Sequence, residues 1–155
     1  MNQFFIQNSD IIIKLVLAMT LGVFIGIERY IAHKTAGMRT YALLSMGSAL
    51  FVIISEVVTQ TYPNHPLVSF APLGVLAAVI TGIGFLGAGA MFHKDDILVG
   101  LTTATGLWVS AGIGMAVGFG YYLLAITATL ASIVIFSLLL KLENGIRRHF
   151  GITGD

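Results

Sequence analysis

Charged residues cut this chain into long apolar runs. The first reaches from Ile11 to Ile27, interrupted only by Lys14, and stops at Glu28-Arg29. The second runs from Thr40 to Ser55 and reaches Val58 beyond Glu56. A third is free of charge from Leu67 to His93, with Pro72 suited to the first turn of a helix. From Ile97 to Leu140 no charged residue occurs at all. A helix needs about 20 apolar residues to cross a bilayer, so the last run is long enough for two. Gly118-Phe119-Gly120 is the natural turn between them, followed by Tyr121 and Tyr122 as interface anchors. The pattern thus predicts five spans, at 11–31, 40–58, 70–92, 97–117 and 121–140. They would form one transmembrane domain over 1–155, an all-α polytopic helix bundle. A β-barrel is excluded because its strands alternate apolar and polar positions, whereas these runs are apolar on every side.

Two end segments complete the pattern. The first run lacks a basic leader and a small-residue cleavage site before Glu28, so it is expected to be retained rather than cleaved as a signal peptide. After the last run, Leu142, Ile146 and Phe150 recur every four residues beside Arg147, Arg148 and His149. That spacing suits an amphipathic tail over 141–155 lying on the membrane surface, or else a solvated end.

Five crossings put the termini on opposite sides, and the cations then say which side is which. Arg29, Lys34 and Arg39 fall in the first loop, Lys94 in the third, and Lys141, Arg147 and Arg148 in the tail, all on one face. Only Lys14 falls opposite, where its long stem could snorkel to the interface. Short basic loops stay in the cytoplasm, so the N-terminus is expected outside and the C-terminus inside, with the loop from Thr59 to Ala71 also outside.

Composition strengthens this reading. Of 155 residues, 57% are hydrophobic and 10% charged, against about 25% charged in an ordinary soluble domain. Lipid must be the surrounding solvent. A net charge of +1 with scattered cations excludes a nucleic-acid partner. There are no cysteines, and His33, His65, His93 and His149 lie too far apart for metal-ligand spacing on a helix. No cofactor is expected.

Helices in lipid associate through small residues that let backbones approach. Thr102, Gly106, Ser110, Gly114 and Gly118 recur at four-residue steps, and Ala18, Gly22 and Gly26 form a shorter stripe in the first span. Both are expected to be packing seams, within the molecule in the first instance, or else toward a second copy or a ligand groove. Gly82, Gly84 and Gly87, followed by Gly89, spell a dinucleotide-binding pattern without the strand and acidic residue that make such a pattern work. In an apolar span they mark a close-packing face or a bend. Trp108 lies mid-span and, with Thr103, is expected to be buried in the bundle.

Charges at the edge of a hydrocarbon core are the remaining candidates. Glu28, Arg29, Lys34, Arg39 and Thr40 bracket one short cytoplasmic loop, which suits an ion-pair lock or a docking site for an anion or partner. Asp95 and Asp96 are the sole acidic pair, a weak candidate for Mg²⁺ and otherwise a solvated turn. Glu56 reads as an interface glutamate. No serine, histidine and carboxylate set shares one depth, so no catalytic site is assigned and the chain is not expected to be an enzyme.

Three stretches together resemble the MgtC/SapB family. They are Gly26-Ile27-Glu28-Arg29 with Lys34-Thr35-Ala36-Gly37-Met38-Arg39-Thr40, then Gly82-Ile83-Gly84-Phe85-Leu86-Gly87-Ala88-Gly89, then Gly100-Leu101-Thr102-Thr103-Ala104-Thr105 with Trp108. The resemblance covers nearly the whole chain and corresponds to the membrane domain only, with no C-terminal soluble domain expected. It implies a multi-pass protein of the bacterial inner membrane, tied to magnesium limitation and to virulence. It also implies a regulator that restrains the F-type ATP synthase rather than carrying magnesium. Ala71-Pro72-Leu73-Gly74 stands where many relatives have an acidic-proline-basic motif, and Val99 where they have a basic residue. Expected partners are lipid, a second copy (a dimer foremost) and a membrane protein complex. The rival reading is a small transporter or channel for a divalent cation or protons, in which the glycine-dense spans unwind.

Overall fold

A computed structural model describes residues 2–62, 71–94 and 96–149. The helices are α1 (Asn2–Ile31), α2 (Met38–Thr61), α3 (Ala71–Gly89), α4 (Leu101–Gly118), α5 (Tyr122–Val134) and α6 (Leu140–His149). Between α3 and α4 stand two short strands, β1 (Phe92–Lys94) and β2 (Ile97–Val99), and a turn of π-helix, Ile135–Leu139, joins α5 to α6. The fold is an all-α bundle. Among the described residues four stretches are long and apolar enough to cross a membrane: Ser9–Ile31, Met38–Thr61, Leu101–Gly118 and Tyr122–Leu142. A fifth apolar helix, Leu73–Gly89, is shorter.

α4 is the hub, packed against α1, α2, α3 and α5. Its glycines explain how. A Cβ on Gly114 would fall on the backbone carbonyl of Ser45, and one on Gly118 would stand 2.7 Å from Val52 Cβ. On α1, a Cβ at Gly22 would come within 2.5 Å of the Tyr41 carbonyl oxygen, and one at Gly26 would fall on Met38 Cα. α1 and α4 therefore both lie backbone-close on α2, and the side chains that fill between them, Ala18, Ile25, Tyr41, Ala49, Val52, Ile113 and Val117, are almost fully enclosed. Hydroxyls along the helices bond back one turn, as Thr20 does to the Val16 carbonyl, Thr129 to Ala125 and Ser132 to Ala128. In an apolar surrounding this satisfies a donor that has no water to meet.

Several expectations need correction. The third apolar run was expected to remain a span to 92 and the fourth to begin at 97. Instead α3 ends at Gly89, and Phe92 to Lys94 pairs antiparallel with Ile97 to Val99. Three apolar β-formers next to a helix give no periodicity, so they merged with it in the sequence. Asp96, at φ 63°, turns the hairpin, and Gly100, at φ 96°, starts α4 where a side chain would collide with the Ala90 carbonyl. Lys14, expected to reach the interface with its long stem, has ion-pair partners that the sequence did not show. It is nearly buried and bridges Asp10 at 3.2 Å and Glu56 at 3.5 Å, linking α1 to α2. Trp108 is not packed inside but 56% exposed, because the α4 face toward α2 is occupied by the four-step stripe. The turn at Gly118-Phe119-Gly120 forms as expected, with Gly120 at φ 80°. Of the outer loop, residues 63–70 lie outside the described residues, as do Asp95 and the last part of the tail. Within α6, Leu142 and Ile146 are exposed four residues apart.

Candidate functional site

Of the charged cluster read from the first loop, Glu28 and Arg29 form an ion pair as the lock reading expected, but the five residues do not assemble as one surface. Lys34, Arg39 and Thr40 are exposed, whereas Arg29 is 1% exposed inside the bundle. Its Nε donates to Glu28 Oε2 at 2.5 Å, and its guanidinium carbon lies 3.8 Å from the centroid of the Phe136 ring. Nη1 is enclosed with no hydrogen-bond partner among the described residues. A buried cation is costly unless paired, and here a carboxylate and an aromatic face share that task.

Around this cation four segments converge. Arg29 comes from α1, Tyr41 from α2, Gly106 from α4 and Phe136 from the π-turn. A side chain at Gly106 would collide with the Tyr41 hydroxyl and stand 2.9 Å from Phe136, so this glycine makes room for both rings. Tyr41 is fully buried, and its hydroxyl donates to the Thr103 carbonyl at 3.4 Å. Ser110 Oγ in turn donates to the Tyr41 carbonyl at 3.2 Å. The arrangement is a junction that fixes helices; it presents no nucleophile and base within reach of each other.

Of the predicted packing seam, Gly22, Gly26, Gly106, Ser110, Gly114 and Gly118 are buried against α2 or its neighbours, and Thr102 is exposed beyond its end. Thr103 is buried. The glycine-rich stretch of α3 is open: a Cβ on Gly82, Gly84 or Gly89 would meet nothing within 4 Å, and one on Gly87 would only touch Ala104 at 3.6 Å. α3 is helical through Gly82, Gly84 and Gly87 and ends at Gly89, so no unwound segment occurs among them. Among the described residues no three His, Asp or Glu side chains come close enough to hold a metal ion. Tyr41 and Phe136 were missed by the sequence reading. Tyr41 lies four residues before Ser45 on the α2 face that meets α4, a pattern that could have drawn attention to it; Phe136 carries no such signal.

An all-α bundle of membrane-length helices, pinned by a buried arginine at the end of its first helix, defines a class of small helical membrane protein. The profile of the MgtC family matches residues 15–145, and the chain belongs to that family. It is 40% identical over 129 residues to the putative magnesium transporter YhiD of Escherichia coli K12, covering 83% of this chain and 60% of that protein. It is 35% identical over 116 residues to protein SapB of Bacillus subtilis, covering 74% of this chain and 50% of that one. With protein MgtC of Salmonella typhimurium LT2 the identity is 39% over 119 residues, 77% of this chain and 48% of the relative. The chain thus spans between about half and three fifths of the length of these relatives. No solved structure matches it.

Proposed function

We propose that this chain is a non-enzymatic regulator in the bacterial inner membrane, acting through helix contacts with a second copy and with a membrane complex. It crosses five times, N-terminus outside and C-terminus in the cytoplasm, and serves adaptation to magnesium limitation and virulence, with the F-type ATP synthase as the candidate partner complex. The observation that supports a regulator over a conduit is how the interior polar groups are used. Tyr41 and Ser110 bond within the chain, Arg29 is paired through its Nε with Glu28, and the α2–α4 seam is closed backbone to backbone, although Arg29 Nη1 and the Ser45 and Ser55 hydroxyls are buried without a partner among the described residues. Crosslinking in native membranes tests the reading: capture of the synthase's membrane subunits supports it, and capture of the chain's own copies alone counts against the partner. Because the sequence has no cysteine, single Arg39→Cys and Arg148→Cys variants report topology, and labelling from opposite sides of the membrane would refute the orientation.

A second reading, transport of a divalent cation, draws on the name of the YhiD relative. It also draws on the small polar cavity of about 130 Å³ between Asp10, Lys14, Glu56 and Gln60. Magnesium flux into liposomes holding the purified chain, lost in Glu56→Gln, would favour it over the regulator.

A further inference from the structure

We propose that the groove between α2 and α3 is a binding site for one anionic phospholipid, with its headgroup at Arg39 and an acyl chain running along α2. The groove opens at the start of α2 as a cavity of about 780 Å³. Its mouth carries Thr35, Arg39 and Thr40, all exposed, its depth carries Leu44 and Leu107, and Leu86 stands exposed along its side. A second cavity of about 540 Å³ shares Leu43, Leu44, Phe85 and Leu86 with the first and continues to Phe51 and Val75. The two are one trough, polar at one end and apolar along the rest.

Length and charge both select the occupant. From Thr40 to Phe51 the helix rises about 17 Å at 1.5 Å per residue, close to half of a hydrocarbon core about 30 Å thick. The trough is therefore as deep as one leaflet, the reach of one lipid tail. At the mouth the charged lining residue is a cation, and among the described residues no carboxylate lines either cavity. The nearby Glu28 is already bound to Arg29, and Lys34 stands exposed in the same connection. A basic rim over an apolar slot between helices is the chemistry that recognises a phosphate headgroup on a lipid. The open glycines fit this use: Gly47 and Gly82 line the trough, and a Cβ on either would meet nothing within 4 Å. They widen it without supporting any contact inside the chain.

The test is native mass spectrometry of the full chain from mixed micelles containing phosphatidylglycerol or phosphatidylethanolamine of equal chain length. Wild type should retain phosphatidylglycerol on the order of five-fold more, the size expected for one arginine at a lipid headgroup. Arg39→Gln should remove that preference while leaving phosphatidylethanolamine retention unchanged. Gly82→Leu should lower retention of both lipids at an unchanged unfolding temperature, because the added side chain fills the trough and not the core. Equal retention of the two lipids by wild type, or a preference that survives Arg39→Gln, overturns the proposal. So does Arg39-dependent binding of inorganic phosphate without lipid, which would make the site one for the free anion. A change of oligomeric mass in Gly82→Leu with lipid retention intact would give the trough to a second copy, and the proposal fails.

Discussion

Two regions of this molecule are rich in glycine, and they behave in opposite ways. On α4 and α1 the glycines of the four-step stripes are pressed against α2, Gly22, Gly26 and Gly114 on its backbone, Gly118 on Val52 and Gly106 on the Tyr41 ring. On α3 they fall at Gly82, Gly84, Gly87 and Gly89, go around the helix, and leave most of their surroundings empty. Glycine content alone thus says little about packing in lipid. A stripe brings a neighbouring backbone close; a scatter leaves a surface that lipid or another molecule can fill.

The sharpest way to break this comparison is Gly114→Leu. Overpacking of this kind, with backbone rather than a flexible tip in the way, should cost about 3 kcal/mol or more, read as loss of monodisperse protein in detergent. Next comes Arg29→Ala, which leaves Glu28 without its partner and the Phe136 face uncovered. It should cost about 3 kcal/mol, measured by thermal unfolding in detergent. Phe136→Leu keeps the ion pair and removes only the ring, so the expected loss is smaller, about 2 kcal/mol for a desolvated cation over an aromatic face. The smallest effect belongs to the open region. Gly82→Ala should leave the unfolding temperature unchanged or raise it, since alanine is about 1 kcal/mol better than glycine inside a helix. A Gly82→Ala loss as large as that at Gly114 would erase the distinction between the two regions.

Much of this was legible in the chain. The apolar runs announced the long helices, the four-step spacing announced the seam, and Gly118-Phe119-Gly120 announced the α4–α5 turn. Facing was not legible. In water an apolar side chain points inward, but beside lipid an outward leucine is as comfortable as an inward one, so periodicity loses its meaning. That is why Trp108 was placed inside when it faces out, and why Arg29, read with Glu28 as an ion-pair lock or part of a docking face, was not seen to be buried, although the pair itself forms. The ion pairs of Lys14 were not legible for a related reason. Its partners Asp10 and Glu56 lie on two helices, and only their packing brings the carboxylates to it. The hairpin was hidden because Ile97-Leu98-Val99 continues an apolar run, although the neighbouring Asp96 and Gly100 carried the turn.

The contact between Arg29 and Phe136 also sets an order of events in the making of the protein. Chains emerge from the ribosome N-terminus first, so the guanidinium on α1 is made long before the ring that covers it. Until the π-turn after α5 arrives, that cation has a neighbouring carboxylate but no aromatic lid. A stretch made more than a hundred residues later is therefore what closes the bundle over the first helix, and a chain cut short before Phe136 would leave its arginine uncovered for the cell's quality-control machinery to find.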